Sequence, residues 1–529
     1  MSQRMSKALA PPRPPDDYRG QGPAGKGQPP RWRRATDRAR GVPGAIVIIA
    51  VAIAAVFIVV GVLDTTSIDH GWFLTAVVTV SVTGMVVGVT GRGWRWWASW
   101  GLGIVVVTAA VTALAAWWIF HTGIVNEPYP ASFKVWVGAA LSAVGVAVTG
   151  WWSGPAAVRA VRLLTAPLAV LAAFCLINAH YGYWPTVGAL LDKPQSGQIS
   201  AGTLHREVTH HVAVVPVHPA VGQFGPVAIP GRSVGFHAAT AYVWLPPDYF
   251  SVAHAHLPVL LMLSGWPGDG KDWVRSGQVI RLVNHWAAAH GGAAPVMVFV
   301  DENGAKAFDT ECVNGPQGNA ETYLTRTVPG YITHTLGIRD DPARWAVIGF
   351  SEGGTCALDL GIMHPNLYGR FVDVAGDAAP NYGFGKTWQA TVVDLYGGNL
   401  AAYRSHNPLE VMATHRYRDV VGWFADGTGD QVHLEVAASL ASAARAAGIQ
   451  TRTLFSAGGH SWIFAKHAFV LIYPALVHDL SGPTGRPRPT FVPVKQACAR
   501  RCTLADGAPA GHRALLRFTP SPPSSPPPG

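Results

Sequence analysis

The sequence predicts two parts in series: an N-terminal transmembrane α-helical bundle of five spans, then an α/β domain with a mostly parallel sheet. Three observations carry this. Hydrophobic residues make up 49% of the 529 positions and charged residues only 13%, with a mean hydropathy of +0.21, which is too apolar for an ordinary soluble chain of this size. Five apolar runs follow one another before residue 182. Beyond residue 204 the pattern changes to short apolar strands alternating with longer helices, as in a parallel sheet covered on both faces.

Residues 1–42 are rich in Pro, Gly and Arg and carry the basic run Arg31-Trp-Arg-Arg-Ala-Thr-Asp-Arg-Ala-Arg40. They read as a disordered basic cytoplasmic tail and not as a cleavable signal peptide, because the apolar region starts late and runs long. The five spans fall near 43–63, 72–90, 97–120, 134–152 and 161–181 within a transmembrane region 43–181, each close to the ~20 residues that cross a bilayer as a helix. Basic connections (the tail, Arg92 with Arg95, Arg159 with Arg162) alternate with connections that lack Lys and Arg (64–71 and 121–133). That alternation puts the N-terminus inside and everything after the fifth span outside the cytoplasm. Trp94, Trp96, Trp97, Trp117, Trp118, Trp151 and Trp152 cluster at span ends, as an interfacial belt does. No acidic residue interrupts the spans, so the bundle reads as an anchor rather than an ion or proton path. The net charge of +10 sits largely in the tail and at span ends, which excludes nucleic acid as the expected partner and names the membrane instead.

Residues 182–204 read as a linker, 205–482 as the α/β domain and 483–529 as a loose Pro/Arg-rich extension. Strands are expected at 238–245, 257–263, 294–300, 345–348, 371–375, 420–424 and 451–455. Helices are expected at 280–290, 322–336, 353–363 and 434–447. Of five cysteines, Cys175 lies in a span. Cys312, Cys356, Cys498 and Cys502 would allow three pairings in an exported domain. Cys356 reads equally as a free buried thiol, whereas Cys498 and Cys502 are expected to close a small disulfide loop. That pair lacks the companion ligands of a zinc site, and no cofactor or metal is expected.

The chemistry centres on Gly349-Phe350-Ser351-Glu352-Gly353, a G-x-S-x-G pattern between an apolar strand and a helix. In an α/β-hydrolase this is the nucleophile elbow, with the serine at the tip of a strained turn. A serine hydroxyl needs a base, and partners follow in the order Ser, then Asp or Glu, then His. His460, in Gly458-Gly-His-Ser-Trp462 after the last expected strand, is the candidate base. The acid comes from the loop after strand 420–424: Asp430 first, with Asp426 and Glu435 as alternatives. The two oxyanion-hole amides are assigned to Glu352, directly after the serine, and to Trp266 in Ser264-Gly-Trp-Pro-Gly268.

Residues 235–475 resemble the esterase D family, which includes the secreted mycolyltransferases of mycobacteria. The resemblance rests on Ala241-Tyr-Val-Trp-Leu-Pro-Pro-Asp-Tyr249, Leu257-Pro-Val-Leu-Leu-Met-Leu-Ser-Gly265, Glu321-Thr-Tyr-Leu-Thr-Arg-Thr-Val-Pro-Gly-Tyr331, the elbow with His364-Pro-Asn-Leu-Tyr368, and Gly459-His-Ser-Trp462. It implies an α/β-hydrolase without a large lid that hydrolyses acyl esters or transfers acyl groups to sugars. The mycolyltransferases carry their acid as a Glu on a helix, which favours Glu435, whereas general esterases favour an Asp such as Asp430. The region after Trp462 departs from the mycolyltransferase pattern. The expected function is thus a membrane-anchored serine acyl hydrolase or acyltransferase acting on lipid or glycolipid esters at the outer face. The alternative is a non-catalytic cell-envelope scaffold that retains the fold.

Overall fold

The computed structural model describes residues 65–122, 130–195, 197–210, 219–251, 254–305, 308–383, 387–482 and 487–494. Four helices between residues 71 and 181 are long and apolar enough to cross a membrane: Gly71–Val89 (α1), Leu102–Thr122 (α2, entered through a π-helical turn at Trp97–Gly101), Ala131–Gly150 (α3) and Ala156–Tyr181 (α4). The first expected span, 43–63, lies outside the described residues. Arg159 and Arg162, expected in a turn, stand instead in the first turns of α4. Arg162 is buried and donates from Nε to Gly88 O (2.8 Å) and from Nη1 to Gly150 O (3.0 Å) and Ser153 O (2.8 Å). A cation thereby gathers carbonyls at and just beyond the ends of α1 and α3.

The α/β domain is built on an eight-stranded sheet. Its strands are Gln223–Val227 (β1), Ala241–Leu245 (β2), Val259–Leu263 (β3), Val296–Phe299 (β4), Trp345–Phe350 (β5), Arg370–Val374 (β6), Val421–Gly427 (β7) and Gln450–Ser456 (β8). The spatial order is β1-β2-β4-β3-β5-β6-β7-β8; β2 pairs antiparallel with β1 and β4, and the others run parallel. Strand β3 reads Val-Leu-Leu-Met-Leu and is buried at every position, as a central parallel strand covered on both faces must be. The crossover helices Val279–Ala289 (α5), Glu352–Met363 (α6) and Gln431–Ala447 (α7), and Trp462–Leu480 (α8) after the last strand, pack on the sheet. One face holds Tyr249, Tyr323, Trp345 and Phe424; the other holds Trp244, Trp273, Phe299 and Tyr473.

Two elements differ from expectation for physical reasons. Strand β1, Gln-Phe-Gly-Pro-Val, carries Gly and Pro and sits at the sheet edge, where Pro costs no ladder bond. Helix α8 matches a membrane span in length and hydropathy, but half of its most apolar stretch is buried against this domain. Its apolar character therefore serves the core.

Candidate active site

Strand β5 ends at Phe350, and Ser351 turns the chain into α6 with φ 59° and ψ −126°. A non-glycine residue in this region stores about 1–3 kcal/mol and persists only where its surroundings fix it. Here the Ser351 N–H donates to Val374 O at 2.9 Å. The flanking glycines are required by space: a Cβ at Gly349 would lie 1.8 Å from Gly353 O, and one at Gly353 would lie 2.7 Å from Leu263 O. Ser351 is thus the N-cap residue of α6 without a side-chain capping bond, so its hydroxyl stays available at the C-terminal edge of the sheet, where the helix amides favour negative charge.

His460 lies on the loop from β8 to α8. Its Nε2 is 2.9 Å from Ser351 Oγ and its Nδ1 is 2.9 Å from Asp430 Oδ2. Asp430 occupies the N-cap of α7, so a helix start fixes the carboxylate. With Nδ1–H donating to Asp430, Nε2 is left to accept the serine proton. The structure brings Ser351, His460 and Asp430 together. Asp426 takes no part in these bonds: it is fully buried at the end of β7, its Oδ1 accepts the Gly427 N–H at 2.6 Å, and its Oδ2 has no hydrogen-bond partner among the described residues. Burial, reinforced by the nearby Asp430, pushes its carboxyl up to about 7. Glu435 is solvent-exposed on α7.

The sequence reading missed His433. Its Nδ1 lies 2.9 Å from Asp430 Oδ1, and its Nε2 lies 3.3 Å from Asp377 Oδ1. The available signal was the i, i+3 spacing in Asp430-Gln-Val-His433 at a helix start. Burial disfavours a charged His433, but its bonds to Asp377 and Asp430 prevail and push it up to about 11. Burial likewise opposes the Asp430 carboxylate, yet hydrogen bonds from His433 and His460 hold it well below the usual range. Asp430, His433 and His460 offer ligand atoms within 4.8 Å of one another. Both Nδ1 atoms are aimed at the carboxylate, however, which is the geometry of an imidazole–carboxylate chain rather than of nitrogens converging on a cation.

The loop after β3 packs directly on the elbow. A Cβ at Gly265 (φ 135°) would meet Phe350 O at 2.6 Å, Ser351 Cβ at 3.3 Å and Glu352 N at 3.6 Å. Trp266, the expected source of the second oxyanion-hole amide, follows directly after Gly265 and is half-buried. The Glu352 side chain turns inward, accepting from Asn303 Nδ2 (2.7 Å) and from the Glu311 N–H (3.2 Å). Burial, with added repulsion from Asp309, holds its carboxyl far above the usual range. Glu302 accepts the Gly265 N–H at 2.9 Å and is pushed up to about 8 by burial and then by Asp301. Burial thus disfavours negative charge on both carboxyls behind the elbow. Cys356, on α6, is disulfide-bonded to Cys312, which corrects the free-thiol alternative. The bond ties the loop carrying Glu311 to the elbow helix. The expected Cys498–Cys502 loop lies outside the described residues.

A nucleophile elbow with a histidine and an aspartate in chain order on this sheet defines a serine hydrolase. Residues 237–472 match the family described as "Putative esterase", and that family is what the α/β domain is similar to. An "Uncharacterized protein" of Corynebacterium glutamicum is 29% identical over 414 residues, covering 75% of this chain and 94% of the relative. That span exceeds the distance from residue 237 to the C-terminus, so the relative shares part of the N-terminal region too. Among solved structures, a ferulic acid esterase is 16% identical, covering 49% of this chain and 99% of its own at a TM-score of 0.40. An S-formylglutathione hydrolase from Agrobacterium tumefaciens is 18% identical, covering 51% and 99% at 0.39.

Proposed function

We propose that this esterase is a membrane-anchored serine acyl hydrolase or acyltransferase that acts on lipid or glycolipid esters at the outer face of the cell membrane. The observation that carries the reading is the continuous Ser351–His460–Asp430 contact, 2.9 Å at each link.

Ser351 Oγ attacks the ester carbonyl while its proton passes to His460 Nε2, and the tetrahedral oxyanion rests on the amides of Trp266 and Glu352. The imidazolium gives the proton to the departing alcohol as the C–O bond breaks, leaving an acyl-enzyme on Ser351. Water or a hydroxyl acceptor, deprotonated by His460, then takes the acyl group and restores the serine. Asp430 stabilises the imidazolium throughout. Extracytoplasmic placement of residues 205–482, beyond the spans and the 182–204 segment, is supported by the alternation of basic loops. The Cys312–Cys356 disulfide supports it independently.

A fluorophosphonate probe is expected to label the wild type and not Ser351→Ala. Absence of labelling in the wild type favours the scaffold alternative instead. Product analysis with a labelled glycolipid ester, with and without trehalose, separates hydrolysis from transfer.

A further inference from the structure

The chain does not leave the last membrane helix loosely. Gly182 (φ 66°) ends α4 with its N–H on Asn178 O at 2.6 Å. The buried Asn178 side chain then clasps the backbone of Trp184 from both sides: Nδ2 donates to Trp184 O (2.7 Å), and Oδ1 accepts the Trp184 N–H (2.8 Å). The next residues are stitched to the segment before α1, with Val187 N–H on Thr66 O at 2.9 Å. Between these fixed points Tyr183 enters the esterase domain. Its hydroxyl donates to Asp272 Oδ1 (2.8 Å) and accepts from Arg275 Nη2 (2.9 Å), and its carbonyl accepts from Ser276 Oγ (2.7 Å). Asp272 is 1% exposed, so this contact lies inside the domain and is not a surface brush.

The same junction touches both loops that build the site. Asp272 Oδ2 accepts the Asp269 N–H at 3.0 Å, and Ser264 Oγ donates to Asp269 O, which ties Tyr183 to the loop carrying Gly265 and Trp266. On the other side a Cβ at Gly182 would lie 3.1 Å from Ile463 N. Ile463 is three residues beyond His460, so chain geometry puts the two Cα atoms of Gly182 and His460 at most about 15 Å apart. The headgroup layer adds about 5–8 Å beyond the hydrocarbon. Leu190, Leu191 and Ile463, on segments meeting at this junction, are 40%, 58% and 52% exposed.

We propose that the active site is docked on the membrane end of α4, opens toward the bilayer and takes its acyl ester from lipids in that same bilayer; this rests on the serine-hydrolase reading above. The ester of a long-chain lipid sits at headgroup depth, so it needs to rise only part of its length to reach Ser351. The rigid Tyr183 contact keeps the cleft at that height, where a flexible tether would merely raise local concentration.

The test uses the full chain in lipid nanodiscs. A fluorogenic long-chain diacylglycerol ester is supplied in the same discs or in separate protein-free discs, and p-nitrophenyl butyrate is the soluble comparison. In the wild type, same-disc turnover is expected to exceed separate-disc turnover at least about tenfold. In Tyr183→Ala/Ile463→Ser, which keeps the tether and loses the docking contacts, the ratio of same-disc lipid to butyrate kcat/KM is expected to fall about tenfold. Leu190→Ser/Leu191→Ser, which leaves the junction intact, is expected to lower the same ratio, and fluorophosphonate labelling verifies that each variant retains a folded site. An unchanged ratio in both variants, or equal turnover of same-disc and separate-disc ester, overturns the docking proposal while butyrate turnover leaves the hydrolase reading standing. Wild type that neither turns over butyrate nor labels at Ser351 overturns the hydrolase reading itself.

Discussion

His433 and His460 share one carboxylate. Their Nδ1 atoms each lie 2.9 Å from a different oxygen of Asp430, and their ring centroids are 4.5 Å apart. With Asp377 at the far nitrogen of His433, the order runs Asp377–His433–Asp430–His460–Ser351. A charged His433 between two carboxylates keeps Asp430 ionised and aimed, yet leaves Asp377, His433 and Asp430 with one net negative charge to meet the imidazolium when His460 takes the serine proton. His433 is thus a positioning residue, acting through Asp430.

Replacing it has a signed consequence. His433→Gln removes a positive charge beside His460, so His460 binds a proton more readily. The acid limb of the kcat/KM profile is expected to move up by about one pH unit. A residue with a packing role alone would lower activity without moving that limb. The stability effect also has a direction. The raised His433 contributes fully below its unfolded value of about 6.5, and the contribution is lost as pH rises toward about 11. The depressed Asp430 contributes above its unfolded value of about 3.9, and the contribution is lost on acidification. The melting-temperature gap between wild type and His433→Gln is therefore expected to be widest between about pH 4 and 6.5. A gap that widens steadily toward pH 9 contradicts this.

The Cys312–Cys356 bond closes a segment of 44 residues, for which the chain-entropy account gives about 4 kcal/mol. Cys312→Ser/Cys356→Ser is expected to melt well below the wild type and to lose esterase activity at temperatures the wild type tolerates, because the Glu311 loop is then no longer tied to the elbow helix. Non-reducing peptide mapping of membrane-extracted protein is expected to recover the two cysteines linked. Recovery of both as free thiols contradicts both the bond and the oxidising compartment it supports.

Much of the fold was legible because its signals are local. The apolar strand, the Gly-x-Ser-x-Gly turn and the helix after it are contiguous, and Gly349 is there to avoid Gly353, four residues on, although Gly353 itself makes room for the distant Leu263. The approach of His460 to Ser351 and Asp430 was expected from chain order and from the loops after the last strands, which left Asp426 and Glu435 open as alternatives. What stayed hidden depends on distant partners. His433 gains its role from Asp377, a residue 56 positions earlier on another strand's end, and no spacing rule links them. Helix α8 resembles a membrane span because hydropathy does not distinguish a core-facing helix from a lipid-facing one. The contacts of Tyr183 with Asp272 and Arg275 were likewise invisible, since residues 182–204 read as a linker by composition alone.

The topology makes an independent prediction. If the tail lies inside and all five expected spans cross, alkaline phosphatase fused after residue 200 is expected to be active, and a reporter that works only in the cytoplasm is expected to be silent there. The reverse pattern places the esterase inside the cell and removes the outer-face reading, though it leaves the chemistry untouched.

The acid assignment is the sharpest test of the site. Ser351→Ala and His460→Ala are each expected to cost several orders of magnitude in kcat, and the double variant little more, because the members of a triad act as a unit. Asp430→Ala is expected to cost somewhat less, since it removes the partner of His460 Nδ1 while the oxyanion amides remain. Glu435→Ala, at an exposed position, is expected to leave activity near wild type. Asp426→Ala opens a buried site at the end of β7, so its effect is expected in melting temperature more than in kcat. Should Glu435→Ala prove as damaging as His460→Ala while Asp430→Ala stays active, the acid lies on the helix, as in the mycolyltransferases, and the 2.9 Å contact between Asp430 and His460 is not the one that works in turnover.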